Sequence, residues 1–291
     1  MNLGHQLNRL RPAWQGLQRR VAAKAGPPAC KHAGTFWHRI RGQSVALAGS
    51  RYCLDHCLES ALLTELSRTR ARPSRQAPPH RVPLGLLLLS REQLSSEQLR
   101  QALAAQRAAG HGRIGEWLQT LGFVGELDIT AALARQWSCP VLRVASISAL
   151  PAGRAPQIPA GLLQSFVMLP VDYVASSSTL YMAFGERIDY RVLYSLEQML
   201  ACHTEACLAP LSLVRESLES LSETRRERES IFDWTTDPRE FTRIVRSYCA
   251  RMHADEIRLA ACGPLLWIRL LRPSGPAHDL LLRSVTKPFA F

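Results

Sequence analysis

The stretch "RIGEWLQTLGFVGELDITAALARQ", Arg113 to Gln136, decides how the middle of this chain is read, because "PLGLLLLSREQLSSEQLRQALAAQ", Pro83 to Gln106, precedes it with the same cadence. Both stretches are 24 residues long, and six residues separate them. They share Gly at the third place (Gly85, Gly115), Leu at the sixth (Leu88, Leu118), apolar residues at the seventeenth and twenty-first, and Gln at the last (Gln106, Gln136). Agreement at that many places in so short a span is read as an internal duplication, two copies of one unit side by side in a shared lobe. Leu and Ala recur at helical spacing in this region, so the lobe is expected to be built of short helices. Ser95 followed by Gln98 is a capping-box pair that marks a helix start before "QLRQALAAQ".

Working outward, residues 83–139 form a helical tandem-repeat lobe. From Pro140 to Leu221 the pattern alternates: "CPVLRV", "SFVMLPVDYV" and "STLYMAF" read as strands, and "YRVLYSLEQMLA" reads as an amphipathic helix. Residues 140–221 are therefore a small α/β lobe. "SETRRERES" is a charged boundary, after which "PREFTRIVRSYCARM" reads as a helix and "DEIRLAAC" and "PLLWIRLL" as strands, a small α+β unit over 222–291. On the other side, "RTRARPSRQAPPHRVP" has almost nothing to bury and reads as a linker, placed at 68–82. It separates the repeats from a basic, Cys-containing N-terminal module, 1–67. The expected fold class is α+β and multidomain.

The composition agrees with several small cores rather than one large one: 291 residues, 46% hydrophobic and only 7% aromatic. The net charge of +12 is concentrated, since residues 1 to 80 hold thirteen Lys or Arg against three acids. The other residues hold twenty-three against twenty-one. Such a balance, with none of the usual nucleic-acid-reading modules, argues against nucleic acid as the partner. No run approaches the length of apolar chain that spans a bilayer, and the opening lacks a secretory h-region, which points to a cytoplasmic protein. Leu3, Leu7, Leu10, Trp14, Leu17 and Val21 lie on one helical face. That face reads as a docking helix for the protein itself, with peripheral membrane contact through residues 1–21, or an organellar targeting peptide, as other readings.

Cysteine usage does not describe a disulfide scaffold: there are eight Cys in the whole chain. "CKH" and "RYCLDHC" place Cys30, His32, Cys53 and Cys57 where a tetrahedral structural zinc could take four ligands, in an order similar to small treble-clef-like modules. His38 and His56 compete for the fourth place, and reduced, partly buried thiols are the simpler alternative. Cys202, His203 and Cys207 are read as core packing. His253, beside Asp255 and Glu256, reads as a solvated turn.

The doubled unit resembles the N-terminal, MshEN-type domain of type II secretion and type IV pilus assembly ATPases, whose signature is a tandem of Arg-Leu-Gly-x-x-Leu-Val-x-x-Gly units running through Leu-x-x-x-Leu to Gln. The resemblance spans Pro83 to Leu221 and includes "IPAGLLQSFVMLPV" and "STLYMAFGERIDYRVLYSLEQML". It implies cyclic di-GMP as a ligand and a protein partner in a secretion or pilus-like assembly. The residues it implies are Arg113, Ile114, Gly115, Leu118, Gly122 and Gln136 in the second unit, and Leu84, Gly85, Leu88, Leu89 and Gln106 in the first. An Arg fork suits the O6 and N7 acceptors of guanine, Gly admits phosphate close to the backbone, and flanking Leu and Ile suit the base faces. Three positions depart from the signature: Pro83 stands in place of the first Arg, for which Arg81 or Arg91 is the candidate substitute, Glu92 in place of the first unit's second Gly, and Gln119 in place of an apolar residue.

"YCARMHADEIRLAACGPLLWIRLL" is similar to the stretch that precedes the P-loop domain of those ATPases. Yet no Gly-x-x-x-x-Gly-Lys-Ser/Thr occurs, and Lys24, Lys31 and Lys287 follow no Gly-rich loop. No nucleophile elbow, His-Glu-x-x-His or paired catalytic carboxylates are recognised either, so an enzyme is not expected. Two readings follow: a cyclic di-GMP-sensing regulator, or a nucleotide-free docking scaffold carrying a structural zinc module.

Overall fold

A computed structural model describes residues 44–54, 57–71, 81–142, 157–225, 228–235 and 237–285. The first described element is a hairpin, β1 (Ser44–Leu47) and β2 (Ser50–Cys53), turned by Ala48 and Gly49, both at positive φ. It is followed by α1 (Cys57–Ala71). The helix carries on into the stretch expected to be linker, because Thr69 and Leu66 are still buried on its inner face.

The four repeat helices come next: α2 (Leu84–Leu89), α3 (Ser96–Ala109), α4 (Ile114–Thr120) and α5 (Glu126–Trp137). Ser95 caps α3 as expected, its hydroxyl accepting from the Gln98 amide (3.1 Å) while Gln98 returns to the Ser95 amide (2.9 Å). The α/β lobe follows as α6 (Ala160–Phe166), β3 (Met168–Val174), β4 (Thr179–Phe184), α7 (Tyr190–Leu200), β5 (His203–Leu208) and α8 (Leu211–Arg225). Its sheet runs β3-β4-β5, antiparallel then parallel. "CPVLRV" is not a strand over its described residues: Val141 makes one isolated bridge to Leu208. The third strand is β5 instead, a "HTEACL" segment whose polar alternation gave little sign of it.

The chain ends in β6 (Glu229–Trp234), α9 (Pro238–Met252), β7 (Glu256–Cys262), β8 (Leu265–Leu271) and β9 (His278–Ser284). These strands and the early hairpin make one six-stranded sheet in the order β2-β1-β7-β8-β9-β6. The hairpin joins it through a parallel pairing of β1 with β7 and an Arg51–Asp255 ion pair at 2.5 Å. Among the described residues, no helix is long and apolar enough to cross a membrane.

β8 explains how this sheet binds its neighbours. It lies in the middle of the sheet, and six consecutive residues, Leu265 to Leu270, are buried. Alternate side chains serve opposite faces. Leu265 and Trp267 enter the core of the α/β lobe, while Leu266, Ile268 and Leu270 enter a second core closed by α1 and α9. Arg269, on the α/β-lobe side, is a guanidinium in an apolar layer. Asp279 takes it in bidentate fashion at 2.8 Å on both oxygens, and also accepts from the Trp267 indole at 2.7 Å. The same guanidinium donates to the Gln157 carbonyl. Because both charges are more than nine-tenths buried, removing one strands the other. Asp279→Ala is expected to cost about 3–5 kcal/mol of stability, read by urea unfolding; a loss below about 1 kcal/mol would show that this buried pair between β8 and β9 does not stabilise the sheet.

Candidate functional site: two units exchanged through their glutamines

The two units repeat each other in backbone detail. In the turn after α2, Gln93 N donates to Leu88 O (3.1 Å) and Glu92 N to Leu89 O (3.0 Å); in the turn after α4, Phe123 N donates to Leu118 O and Gly122 N to Gln119 O, both at 2.9 Å. Glu92 adopts φ +59° and Gly122 φ +69°. The turn geometry is therefore kept at Glu92 without the glycine that suits it, at a cost of about 1–2 kcal/mol. Leu88 and Leu118 are both wholly buried, as are Ala102 and Ala132. Gly85 lies against Leu99, where a Cβ would come to 2.8 Å of Leu99 Cδ1. Gly115 lies against Ile129 and Leu84, where a Cβ would come to 3.6 and 3.3 Å. Gly85 is thus where a short helix approaches its own long helix, and Gly115 where the two short helices approach each other.

Neither unit closes on itself. α3 packs on α4 and α2 on α5, so each short helix is also covered by the other unit's long one. The last Gln of each unit completes the exchange. Gln106 Nε2 donates to Gly112 O at 2.9 Å, and Gln136 Nε2 donates to Val82 O at 2.7 Å. Each carbonyl belongs to the residue just before the opposite unit. Gly112 itself, at φ +81°, leaves no room for a side chain, since a Cβ would stand 2.9 Å from the Trp117 indole nitrogen.

These contacts assign positions to the residues the resemblance pointed to. Leu84, Gly85, Leu88, Gly115 and Leu118 are buried in the repeat core; Leu89 and Ile114 are half-buried against it. Leu88 and Leu118 have no surface to offer a ligand. Gln106 and Gln136 are occupied as inter-unit ties, and Gly122 is exposed at its turn. Arg113, the residue before α4, is exposed and pairs with Glu186. Arg215 Nη2 approaches the other Glu186 oxygen at 3.7 Å. Glu126, at the start of α5, accepts from the Ser212 amide (2.7 Å) and hydroxyl (2.6 Å) at the start of α8. Negative charge is favoured at a helix start, and this second tie also runs from the second unit to the α/β lobe.

At the opposite junction, a cavity of about 400 Å³ opens between Arg81, Leu87, Arg135, Gln136, Trp137 and Tyr190. The Arg81 guanidinium lies 3.0 Å from the Trp137 ring centre, and Trp137 and Tyr190 are tilted neighbours at 6.1 Å. Partial burial lowers the Arg81 guanidinium and raises the Tyr190 hydroxyl, the latter opposed by the nearby Arg81 charge. The sequence signal for this cavity was weak, because its residues fall at the ends of both units and in a third element, α7.

The proposed zinc ligands are only partly in view. Cys53 ends β2 and Cys57 opens α1, both half-buried against the second core, while Cys30 and His32 lie outside the described residues. Among the described residues, no three His, Cys, Asp or Glu side chains gather as a metal site, so zinc has no support here. Cys202 and Cys207 belong to the α/β core as expected, and His203 is exposed beside them.

No protein-family model matches this chain, and no curated protein matches it. Solved structures do. A structure of MshE with cdg is 28% identical, covering 48% of this chain and 99% of that one, with a TM-score of 0.41. Two structures of the N-terminal domain of XpsE, at 18% and 20% identity, cover 47% and 45% of this chain and 91% and 89% of their own, with TM-scores of 0.37 and 0.31. Over about half its length, then, the chain is similar to MshE and to an XpsE-type N-terminal domain.

Burial pushes the Cys139 and Cys202 thiols up to about 11 and the Cys207, Cys249 and Cys262 thiols up to about 12. These five are therefore protonated at pH 8, and alkylation of the folded protein should leave them unmodified until denaturant is added. Above pH 9 the unfolded chain ionises first, so stability should fall as pH rises from there towards 11. Rapid labelling of Cys207 at pH 8 without denaturant would contradict this core.

Proposed function

We propose that this chain is a non-enzymatic regulatory or adaptor component of a bacterial secretion- or pilus-type assembly whose paired units bind cyclic di-GMP. The reading is carried by one observation: the two units repeat backbone turn, buried Gly, buried Leu and terminal Gln and are interlocked. Such a lobe sets two unit starts in fixed relation, as a two-fold ligand with two guanines requires. Arg113 is exposed at one start, where its fork can meet guanine O6 and N7, a contact typically contributing about 1–3 kcal/mol of discrimination. The exposed Gly122 turn leaves room for a phosphate to come near the backbone.

Binding would be read out through the α/β lobe. Arg113 is held by a carboxylate of that lobe, so guanine and Glu186 compete for one guanidinium. A ligand that binds one arrangement of the lobes better than the other shifts their balance, and so changes the surface a protein partner meets. The same pair supports a second reading. With Arg113 engaged, Pro83 in place of an Arg and a carboxylate at Glu92, the units also suit a nucleotide-free docking scaffold.

Calorimetric titration with cyclic di-GMP separates the two. The sensor predicts saturable binding that Arg113→Ala weakens about ten- to a hundredfold. It also predicts that Glu186→Gln tightens binding, because the competing charge is removed. No heat at tens of micromolar, on the order of 6 kcal/mol of binding free energy, from both the unaltered protein and Glu186→Gln would leave the docking scaffold.

A further inference from the structure

We propose that Ser230, Tyr248 and His278 form a pH-sensitive latch on the edge strand β6. With His278 neutral the latch holds β6 to α9; protonation of His278 releases the start of β6 from the sheet and from the α/β lobe. None of these residues belongs to the repeats, so the latch is independent of cyclic di-GMP binding.

β6 stands at one edge of the six-stranded sheet, where its strand partner among the described residues is β9 alone. Its second residue, Ser230, accepts from the Tyr248 hydroxyl of α9 at 3.2 Å. Ser230 also lies 3.1 Å from Nε2 of His278, the first residue of β9. With its oxygen engaged by Tyr248, the Ser230 hydroxyl still has its own proton to place, and the imidazole nitrogen is the acceptor within reach. The relay runs from the Tyr248 hydroxyl through the Ser230 hydroxyl to Nε2, and it requires Nε2 without a proton. The Tyr248 and His278 rings are stacked, with centroids 5.6 Å apart and planes 22° apart, so the two partners of Ser230 also hold each other. Phe232 meets Tyr248 edge-on at 5.8 Å and extends the contact along β6.

The opposite face of β6 meets the α/β lobe at the same point along the strand. Glu229 accepts from the Gly161 amide, near the start of α6, at 3.2 Å. Gly161 has no room for a side chain there, because a Cβ would come to 2.9 Å of both Ile231 and Leu281. Ser230 therefore lies between two residues that touch the α/β lobe, on the face turned away from it. Holding Ser230 on one face fixes the tie on the other.

The surroundings oppose a charged imidazole. Burial lowers the His278 pKa from its ordinary value; Asp279 works against this, and the Arg251 and Arg272 charges add to it. Arg251, from α9, lies 4.1 Å from the Tyr248 ring centre. Arg272, just after β8, is held on the Pro276 carbonyl at 2.9 and 3.1 Å. Asp279 is committed to Arg269 and Trp267, and Glu229 to the opposite face of β6. A protonated His278 would set a third cation near two guanidiniums. It would also turn Nε2 from acceptor to donor, leaving the Ser230 proton without a place. Because the pKa is lowered in the fold, the folded chain binds fewer protons here than the unfolded one. The latch is fully stabilising above the ordinary histidine value of about 6.5 and is lost as pH falls through the lowered folded value.

The test is amide hydrogen exchange of the full chain from about pH 7.5 to about pH 5, corrected for intrinsic exchange. It compares the unaltered protein with His278→Gln, which keeps an acceptor but does not titrate. As pH falls, the protected amides of β6 in the unaltered protein are expected to lose about five- to tenfold in protection, while those of β8 lose less than about twofold. In His278→Gln the β6 amides should stay within about twofold over the same range. A β6 loss of equal size in both proteins would assign the trigger to another group, and no β6 loss in the unaltered protein would remove the latch; either result overturns the proposal. Should circular dichroism show that His278→Gln does not fold, the His278 ring is titrated by NMR in the unaltered protein. Its midpoint must lie below about 6.5 and coincide with that of the β6 loss; a midpoint at or above that value, or two midpoints that differ, overturns the latch equally.

Discussion

Each repeat unit exposes the carbonyl just before its first helix, and the terminal glutamine of the opposite unit satisfies it, through Gln106 to Gly112 and Gln136 to Val82. Short helices such as α2 and α4, of six and seven residues, are too brief to persist alone, because nucleation costs more than so few turns return. They exist because each is trapped between two long helices, its own and its partner's. The glutamines fix the register of that exchange. Buried Leu88 and Leu118 supply its apolar centre.

The symmetry is broken where the lobe meets the other parts of the chain. The second unit is tied to the α/β lobe by charge, through Arg113 on Glu186 and Glu126 at the start of α8. Among the described residues the first unit has no comparable tie, and its start opens onto the cavity bordered by Arg81 and Arg135. The turn strain at Glu92 falls on the same unit. One unit is thus built for attachment.

The rest of the molecule gives that frame a foundation. The six-stranded sheet buries both faces of β8, one against the α/β lobe and one beneath α1 and α9. A helical lobe tied to the α/β lobe is in this way linked to the early hairpin as well. The early hairpin and α1 share one sheet and one core with β6 to β9 and α9, so the two ends of the described chain support each other.

Much of this was legible in the sequence, wherever one local period controls the outcome. The repeat was visible because each unit needs Gly at one close approach and Leu at one buried place, and the Ser95 cap, α7, α9, β4, β7 and β8 were visible for similar reasons of spacing. The cores of Cys202 and Cys207 followed from their apolar surroundings. Other features depend on partners far along the chain. β5 is a polar-looking segment made a strand by its parallel alignment with β4, and the hairpin of 44–53 finds its place beside β7, some two hundred residues away. The glutamines could be counted but not assigned, since their acceptors lie in the opposite unit or before it. Arg81 and Arg91 were equal candidates to replace the Arg missing at Pro83; only the folded chain sets Arg81 on Trp137. Spacing along a sequence fixes which face of an element is apolar, but hydrogen-bond and charge partners are chosen in three dimensions, where separation along the chain has no bearing.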